Sequence, residues 1–382
     1  MKDKVVIIGG GIGGLSAAVA LDRKGIDWEI YEAAEEIKEV GAGLWLAPNA
    51  LTILEQLGLD KIAYEIGTPY SAVYIEDYKG NKLQKHDVLK TKEKYGHGIV
   101  AFERAKLQKL LYDQLDKSKI NTSKRCMQVL KSDAGLVVQF EDGTEIKGTV
   151  VVGADGIKST VRKYVLGEVP FRYSGQTCWR AIVDFQLPNH GEAALSEIWG
   201  TAKGQRMGVG PVSDNKTYYY LTHHAAPNKK DNSSTLKEDL LRLFNNYSSN
   251  LKDLISSSST DSIIRNDLSD FKPLKNWVKD NVVLLGDAAH STTPNLGQGA
   301  CQAIESAYIL ADCLHSIDNV EMALLAYQKK RIDRAAFITN TSWQFGKASN
   351  LSGIMGNFIK FSMMKYYPKS LRDKQFEKVY TL

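Results

Sequence analysis

Gly9, Gly11 and Gly14 stand in the spacing G-x-G-x-x-G directly after the apolar run Val5-Val6-Ile7-Ile8, and an acid, Glu32, follows 18 residues beyond Gly14. Residues of these types at this spacing can hold a dinucleotide. Glycine at position 9 permits a tight turn, glycine at 11 lets a pyrophosphate approach the backbone, and glycine at 14 lets a helix pack closely on the strand. The N-terminus of that helix offers free N–H groups and a positive dipole end to phosphates. Glu32, closing the strand Trp28-Glu29-Ile30-Tyr31, can accept both hydrogen bonds of a ribose diol. It would repel a 2′-phosphate, which leaves FAD or NAD rather than NADP as the expected occupant.

Two later clusters have the same strand-turn-helix character. Val150-Val-Val-Gly153 runs into Ala154-Asp155-Gly156, and Val282-Val-Leu-Leu285 runs into Gly286-Asp287. The second is followed by Pro294-Asn-Leu-Gly297-Gln298-Gly299 and a helical stretch through Leu314. An acid at a strand end, a rigidifying proline and glycines that free several N–H groups suit a second, distant anchor on a long ligand and a nest for negative charge.

At these residues the sequence resembles the FAD-dependent aromatic hydroxylases, the single-component class A flavoprotein monooxygenases, nearest to the urate and salicylate hydroxylase branch. The resemblance rests on GxGxxG, then Asp155-Gly156, then Gly286-Asp287 in that order, and spans residues 4–345. It implies that Asp287 binds the FAD ribityl chain and that Gly297-Gln298-Gly299 supports the isoalloxazine ring. Asp155-Gly156 would touch both FAD and the path of NAD(P)H. Arg104, opening the helix in Phe102–Leu111, would reach the FAD phosphates or ribityl hydroxyls. One departure is Ala33, where many relatives carry Arg after the ribose-binding acid. Gly41-Ala42-Gly43-Leu-Trp45 resembles the family loop near the flavin, where Trp45 either stacks or belongs to the core.

The elements that must position these groups follow. The resemblance implies an α/β fold: a Rossmann-like FAD-binding domain, an interleaved antiparallel-sheet substrate domain, and C-terminal helices. Residues 1–70, 100–170 and 271–340 are assigned to the FAD domain, 71–99 and 171–270 to the substrate domain, and 341–382 to the helical end. Short strand candidates fill the middle: Thr177–Phe185, Glu197–Trp199, Arg206–Val209 and Thr217–Thr222. A smaller pair, Ala72–Asp77 and Ile99–Phe102, is expected to join them. In the urate hydroxylase branch an Arg and a Tyr at corresponding strand positions bind a planar anionic substrate, and Arg206 and Tyr218 match them here. A guanidinium fork suits a delocalised oxyanion, and a phenol can donate to it. Trp179, Arg180, Trp199 and His224 are weaker candidates, while His290, after Gly286-Asp287, reads as structural.

The implied activity is hydroxylation of a small aromatic or N-heterocyclic compound with NAD(P)H and O2, through a flavin C4a-hydroperoxide. The alternatives are hydroxylation or epoxidation of a lipophilic, isoprenoid-type substrate, and a non-catalytic flavin module. A halogenase is disfavoured because its Trp-x-Trp-x-Ile-Pro signature is absent. No catalytic side chain is nominated, since the flavin carries the chemistry. Forty-nine Lys and Arg against 44 Asp and Glu give a net +5, too mild and interspersed for nucleic acid as the main partner. Cys126, Cys178, Cys301 and Cys313 lack a metal-ligand or disulfide spacing, which suggests a reducing, cytoplasmic setting. The opening residues do not read as a secretory signal, and no run of 18 uncharged apolar residues occurs. Leu351, Ile354, Met355 and Phe358 form an i, i+3, i+4, i+7 stripe, expected to pack across the FAD domain, with a membrane surface as the alternative.

Overall fold

Val5–Ile8 is buried along its whole length because it lies inside a sheet covered on both faces. In the computed structural model, which describes residues 4–37, 42–133, 135–187 and 193–382, this strand pairs in parallel with Trp28–Tyr31 on one side and Val150–Gly153 on the other. Val282–Leu284 pairs in parallel beyond Val150–Gly153, and Ile120–Asn121 and Val278–Lys279 close the edges of a six-stranded sheet. Register sets Ile8 opposite Gly153 and Gly153 opposite Leu284, so three distant turns leave the sheet at one edge. The turns are stitched together there. Ala154 N–H donates to Ile8 (2.8 Å), Leu285 N–H to Gly153 (2.9 Å), and Gly9 N–H to Tyr31 (2.9 Å).

The helix Ile12–Arg23 rises directly from the first turn, and Gly9 has φ +109°. A Cβ on Gly9 would stand 2.4 Å from the Ala154 carbonyl oxygen, and one on Gly14 would stand 1.9 Å from that of Gly9. Neither position can hold a side chain without separating helix from strand.

The second large sheet has seven strands, ordered Ile264–Phe271, Phe171–Asp184, Lys216–His224, Arg206–Ser213, Ala194–Trp199, Ala72–Asp77 and Lys82–Asp87. Alternation gives it two faces. Trp179, Ala181, Val183, Met207, Val209, Tyr219 and Leu221 form a core with Leu240, Phe244 and Leu254 of the helices Leu236–Leu243 and Ser249–Ser257. The opposite face carries Arg180, Arg206, Tyr218, Tyr220, Glu197 and Trp199. The expectation for Ile99–Phe102 needs correction. Val100–Glu103 pairs with Gly43–Leu46 and Thr68–Pro69 in a separate three-stranded sheet, and the partner of Ala72–Asp77 is Lys82–Asp87.

After the helix Gly299–Ser316 a long helix, Val320–Ser349, leads to Gly353–Tyr366 and Lys369–Tyr380. Val379 and Tyr380 are buried in the core around the parallel sheet, and Arg334 binds the carbonyls of Lys378 (2.7 Å) and Val379 (2.9 Å). The expected packing of the 351–358 stripe is not what occurs. Ile354 is 96% and Phe358 73% exposed, and Met355 is also open to solvent. The reason is Lys360, two residues from Phe358 and so about 200° away around the helix. Its buried ammonium donates to the carbonyls of Gly200 (2.7 Å) and Leu351 (2.9 Å), which turns the apolar stripe outward.

The glycine geometry yields a paired test. Gly14→Ala should cost roughly 1–3 kcal/mol or more through forced separation of helix and strand. Gly11→Ala, where a Cβ meets nothing within 4 Å, should leave the melting temperature nearly unchanged. Equal melting of the two variants would refute this account of the turn.

Candidate active site

The N-terminus of Ile12–Arg23 has no side-chain cap, and the space before Gly11 is open, so its N–H groups are available to an anion. Glu32 stands beside them, its carboxylate accepting from Gly10 N–H (2.6 Å) and Ala34 N–H (2.8 Å). Gln108 Nε2 donates to the Gly10 carbonyl (3.2 Å), which ties the Arg104–Asp113 helix to the same turn.

Asp287 begins the short helix Asp287–His290 after Gly286, whose φ is +62°. Its own surface is exposed, yet protein surrounds it closely enough to raise its pKa by desolvation, against the pull of Arg104. Both observations hold for a carboxylate on the wall of a deep cleft. Arg104, exposed at the first turn of its helix, is the charged group facing it. Asp155 is held differently. Its carboxylate accepts from the Ser159 hydroxyl (2.5 Å), Thr160 N–H (2.7 Å) and Val161 N–H (3.2 Å), so it fastens the start of the helix Thr160–Leu166. Beside it Gly156, at φ +78°, has open space around it.

Gly297 takes a left-handed conformation (φ +62°), and Gln298 starts the Gly299–Ser316 helix. The Gln298 side chain turns inward, where its Oε1 accepts from Asn49 (3.1 Å) and Gln302 (3.2 Å). Gln298 therefore offers its backbone to the cleft. Its inward contacts join a fully enclosed network. Glu305 accepts from Arg331, Arg334, Gln302 (3.1 Å) and Asn49 (3.1 Å), while Arg331 also donates to Gln302 Oε1 (2.6 Å).

An FAD fits these groups. An open, uncapped helix end and the Glu32 carboxylate lie at one strand turn, the Asp287 carboxylate lies at another, and an uncrowded glycine loop follows. Across the cleft, Trp45 lies 3.8 Å from where a Cβ of Gly297 would stand. Its ring packs on Tyr218 (centroids 5.5 Å apart) and Tyr220 (6.0 Å), and its Nε1 donates to the Tyr70 hydroxyl (3.1 Å). Trp45 thus bridges the glycine loop and the sheet face, while Gly41 lies outside the described residues.

Arg206 is 1% exposed, so it is no solvated strand residue. It sits between the rings of Trp199 (5.2 Å) and Phe345 (5.6 Å) and donates to Asn295 of the glycine loop. Tyr218 shares its face but has a different charged neighbour, Arg180, and burial raises its pKa. Arg180 and Trp199 therefore join the site face. Trp179 belongs to the opposite face, donating to Asp231 (2.7 Å), and His224 is exposed at a strand end. His290 is buried against Trp277 and Ser306, with its pKa pushed down to about 3, in keeping with a structural role.

Sequence reasoning missed Glu197, Tyr220, Asn49 and Glu305. Glu197 left one signal, a carboxylate among apolar strand residues. Glu305 left another, an acid among the small and apolar residues of the first turns of its helix.

Comparisons with known proteins agree with this geometry. A family model described as an FAD binding domain matches residues 2–342. The aurachin C monooxygenase/isomerase of Stigmatella aurantiaca is 34% identical over 361 residues, covering 94% of this chain and 93% of that protein. The FAD-dependent urate hydroxylase of Klebsiella pneumoniae is 33% identical over 336 residues, 87% of this chain and 86% of that one. The solved structure of Klebsiella pneumoniae HpxO complexed with FAD and uric acid superposes with a TM-score of 0.90 at 28% identity. It covers 99% of this chain and 96% of that one.

The two carboxylates should separate in their effects. Asp287→Ala should weaken FAD retention by about 10–100-fold, the loss expected for a hydrogen bond to a charged group. Bound flavin reads that loss, and its fold should persist by circular dichroism. Glu305→Ala should instead lower stability by about 3–5 kcal/mol, because it leaves the buried Arg331 and the half-buried Arg334 without their partner. Full flavin occupancy in the first variant, or unchanged melting in the second, would refute the assignment.

Proposed function

The chain belongs to the FAD binding domain family, and from that membership we propose that it hydroxylates a small planar N-heterocycle held on the Arg206 face of its sheet. It is an FAD-dependent monooxygenase using NAD(P)H and O2. Bound FAD supplies the redox chemistry; the chain must hold it, position the substrate and exclude water.

The holding groups are the backbone at Gly9, Gly11 and Gly14, with Glu32 for the ribose. Asp287 and Arg104 would meet the ribityl and phosphate region, Asp155-Gly156 would line the approach of NAD(P)H, and the Gly297-Gln298-Gly299 backbone would face the ring. N–H groups at that helix start can stabilise negative charge on a reduced ring.

The observation that carries the substrate reading is the placement of Arg206. Its planar, permanently charged donor is clamped between two aromatic rings and tied to Asn295 of the loop expected to support the ring. A substrate oxygen bound there would be polarised or held as an oxyanion beside the flavin. Trp45, Tyr218 and Tyr220 give a flat, water-poor wall for a planar ring, and the Tyr218 phenol is placed to donate to it. The named activity of the Klebsiella relative, and the uric acid in its structural counterpart, support a heterocycle as the substrate class.

The test is a panel of phenols, purines and quinolones scored by substrate-stimulated NAD(P)H oxidation and by product mass, with one oxygen atom gained. For the compound that responds, Arg206→Ala should raise KM or uncouple NAD(P)H oxidation by about 10-fold or more while FAD stays bound. Unchanged affinity and coupling would remove Arg206 from the site.

The exposed stripe favours a second reading, a lipophilic substrate taken from a lipid surface. Ile354, Met355, Phe358 and Met363 face solvent on one helix, near Lys365 and Lys369. No helix among the described residues is long and apolar enough to cross a membrane, so contact would be with a surface. Vesicles of anionic lipid should then carry the protein in flotation, and Ile354→Ser with Phe358→Ser should abolish this. Absence of flotation would leave the heterocycle reading alone.

A further inference from the structure

Arg206 shares its pocket with a second charge. Its guanidinium lies 3.3 Å from the carboxylate of Glu197, and Tyr220 donates its hydroxyl to the other carboxylate oxygen. Register puts them on one face, with Trp199 opposite Arg206 and Gly208 opposite both Glu197 and Tyr220. Gly208 makes the contact possible, because a Cβ there would stand 2.1 Å from the Tyr220 ring. The missing side chain lets the phenol cross the strand and reach Glu197.

The cluster is enclosed and incompletely paired. Side-chain exposure is 2% for Arg206 and 13% for Glu197. Arg206 Nε, Trp199 Nε1 and the Tyr247 hydroxyl are buried without a hydrogen-bond partner among the described residues, and Glu197 Oε1 has only its ion pair with Arg206. Such a gathering of unpaired polar atoms is costly in a finished core and suits a place where a polar ligand completes the bonding.

The groups facing Glu197 are Arg206 from one neighbouring strand, Tyr220 from the next, and Tyr247 from the segment after the Leu236–Leu243 helix. On its other side the register partner is Ile75, which does not titrate. Arg180, on the same face, neighbours Tyr218, so the cation that answers the Glu197 carboxyl is Arg206. Burial raises the Glu197 carboxyl to about 7 against the pull of Arg206. With Glu197 ionised the Arg206 guanidinium has its counter-ion. With Glu197 protonated the guanidinium lacks a counter-ion and the pocket attracts an anion.

We propose that Glu197 is a positioning residue that sets the charge of the substrate pocket by holding or releasing one proton. An anionic planar substrate enters with Glu197 protonated, and a neutral N–H/C=O heterocycle enters with Glu197 ionised. The proposal rests on the heterocycle-hydroxylase reading and deepens it by giving one pocket two substrate classes. Above the carboxyl's midpoint, binding of an anion moves one proton from solvent onto Glu197. The substrate oxyanion replaces that carboxylate beside Arg206, and nothing is oxidised or reduced. On release the proton returns to solvent.

The test uses FAD-loaded protein, with urate as the anionic probe and 4(1H)-quinolone as the neutral one, read by flavin difference spectra between about pH 6 and 9. Urate affinity should fall about tenfold per pH unit above the midpoint, with about one proton taken up by calorimetry in two buffers. Quinolone affinity should not fall. Glu197→Gln should flatten the urate profile and remove the proton uptake. Infrared spectra of ligand-free FAD-loaded protein should contain a protonated-carboxyl band that titrates near neutrality and is missing from Glu197→Gln. Equal urate slopes in the two proteins, or absence of that band, would overturn the proposal. The wild-type proton count decides the matter even where the variant fails to fold, and the infrared band decides it where neither probe binds. If the probes bind as described but are never oxygenated, the hydroxylation of such compounds fails and the charge coupling stands.

Discussion

A carbonyl oxygen occupies the space where Gly14 would place a Cβ, 1.9 Å away. This close approach of helix to strand is the constraint on which the rest of the cleft depends. It holds the start of Ile12–Arg23 at the strand end, where N–H groups and the helix dipole can meet phosphate. It also fixes the Gly9 turn, whose backbone lies against Ala154 and so brings the second turn alongside the first. The third turn follows from Leu285 donating to Gly153. Three segments more than a hundred residues apart become one surface through parallel register and the absence of side chains at a few positions.

A different physics holds the glycine loop. Gln298 and Gln302 reach into a network centred on Glu305, to which Arg331 and Arg334 bring two cations and Asn49 a neutral donor. Buried charges persist only where their partners are supplied, and here the partners come from three helices. The glycine loop is therefore tied to the helix beginning at Pro48, just after Trp45, and to the long Val320–Ser349 helix. Through Arg334 it is tied also to the end of the last helix. Separating the Gly299–Ser316 helix from the Val320–Ser349 helix would leave Glu305 and both arginines without their partners, so the loop geometry depends on how these helices pack.

What could be read from the sequence was what local spacing encodes. Gly9, Gly11, Gly14 and Glu32 form one strand-turn-helix-strand unit, and the turns at Asp155 and Asp287 repeat its grammar. Glu197 was invisible for a physical reason: its meaning comes from Arg206 and Tyr220, on strands whose register no local pattern reveals. Asp155 carried the right motif, but the motif does not say that its carboxylate fastens a helix start. The stripe at Leu351–Phe358 marked one apolar face correctly. Periodicity cannot say what covers such a face, and a buried Lys360 on the other side decided its direction.

The seven-stranded sheet separates its two faces through its period of two. Met207, Val209, Tyr219 and Leu221 belong to one core, while their immediate neighbours Arg206, Gly208, Tyr218 and Tyr220 form the site face. A slip of one residue would bury the charges and expose the core. Register is irregular at Tyr173/Thr177, at Pro211/Ser213 and, toward the sheet edge, at Ile75/Glu76, while pairing from Arg206 to Pro211 is unbroken. Side chains on the site face can therefore change without disturbing the core behind it. Within that freedom Gly208 and Gly210 are fixed, because the Tyr220 ring and the Tyr70 hydroxyl fill the spaces where their side chains would stand. The two missing side chains, as much as the present charges, shape the surface of this face.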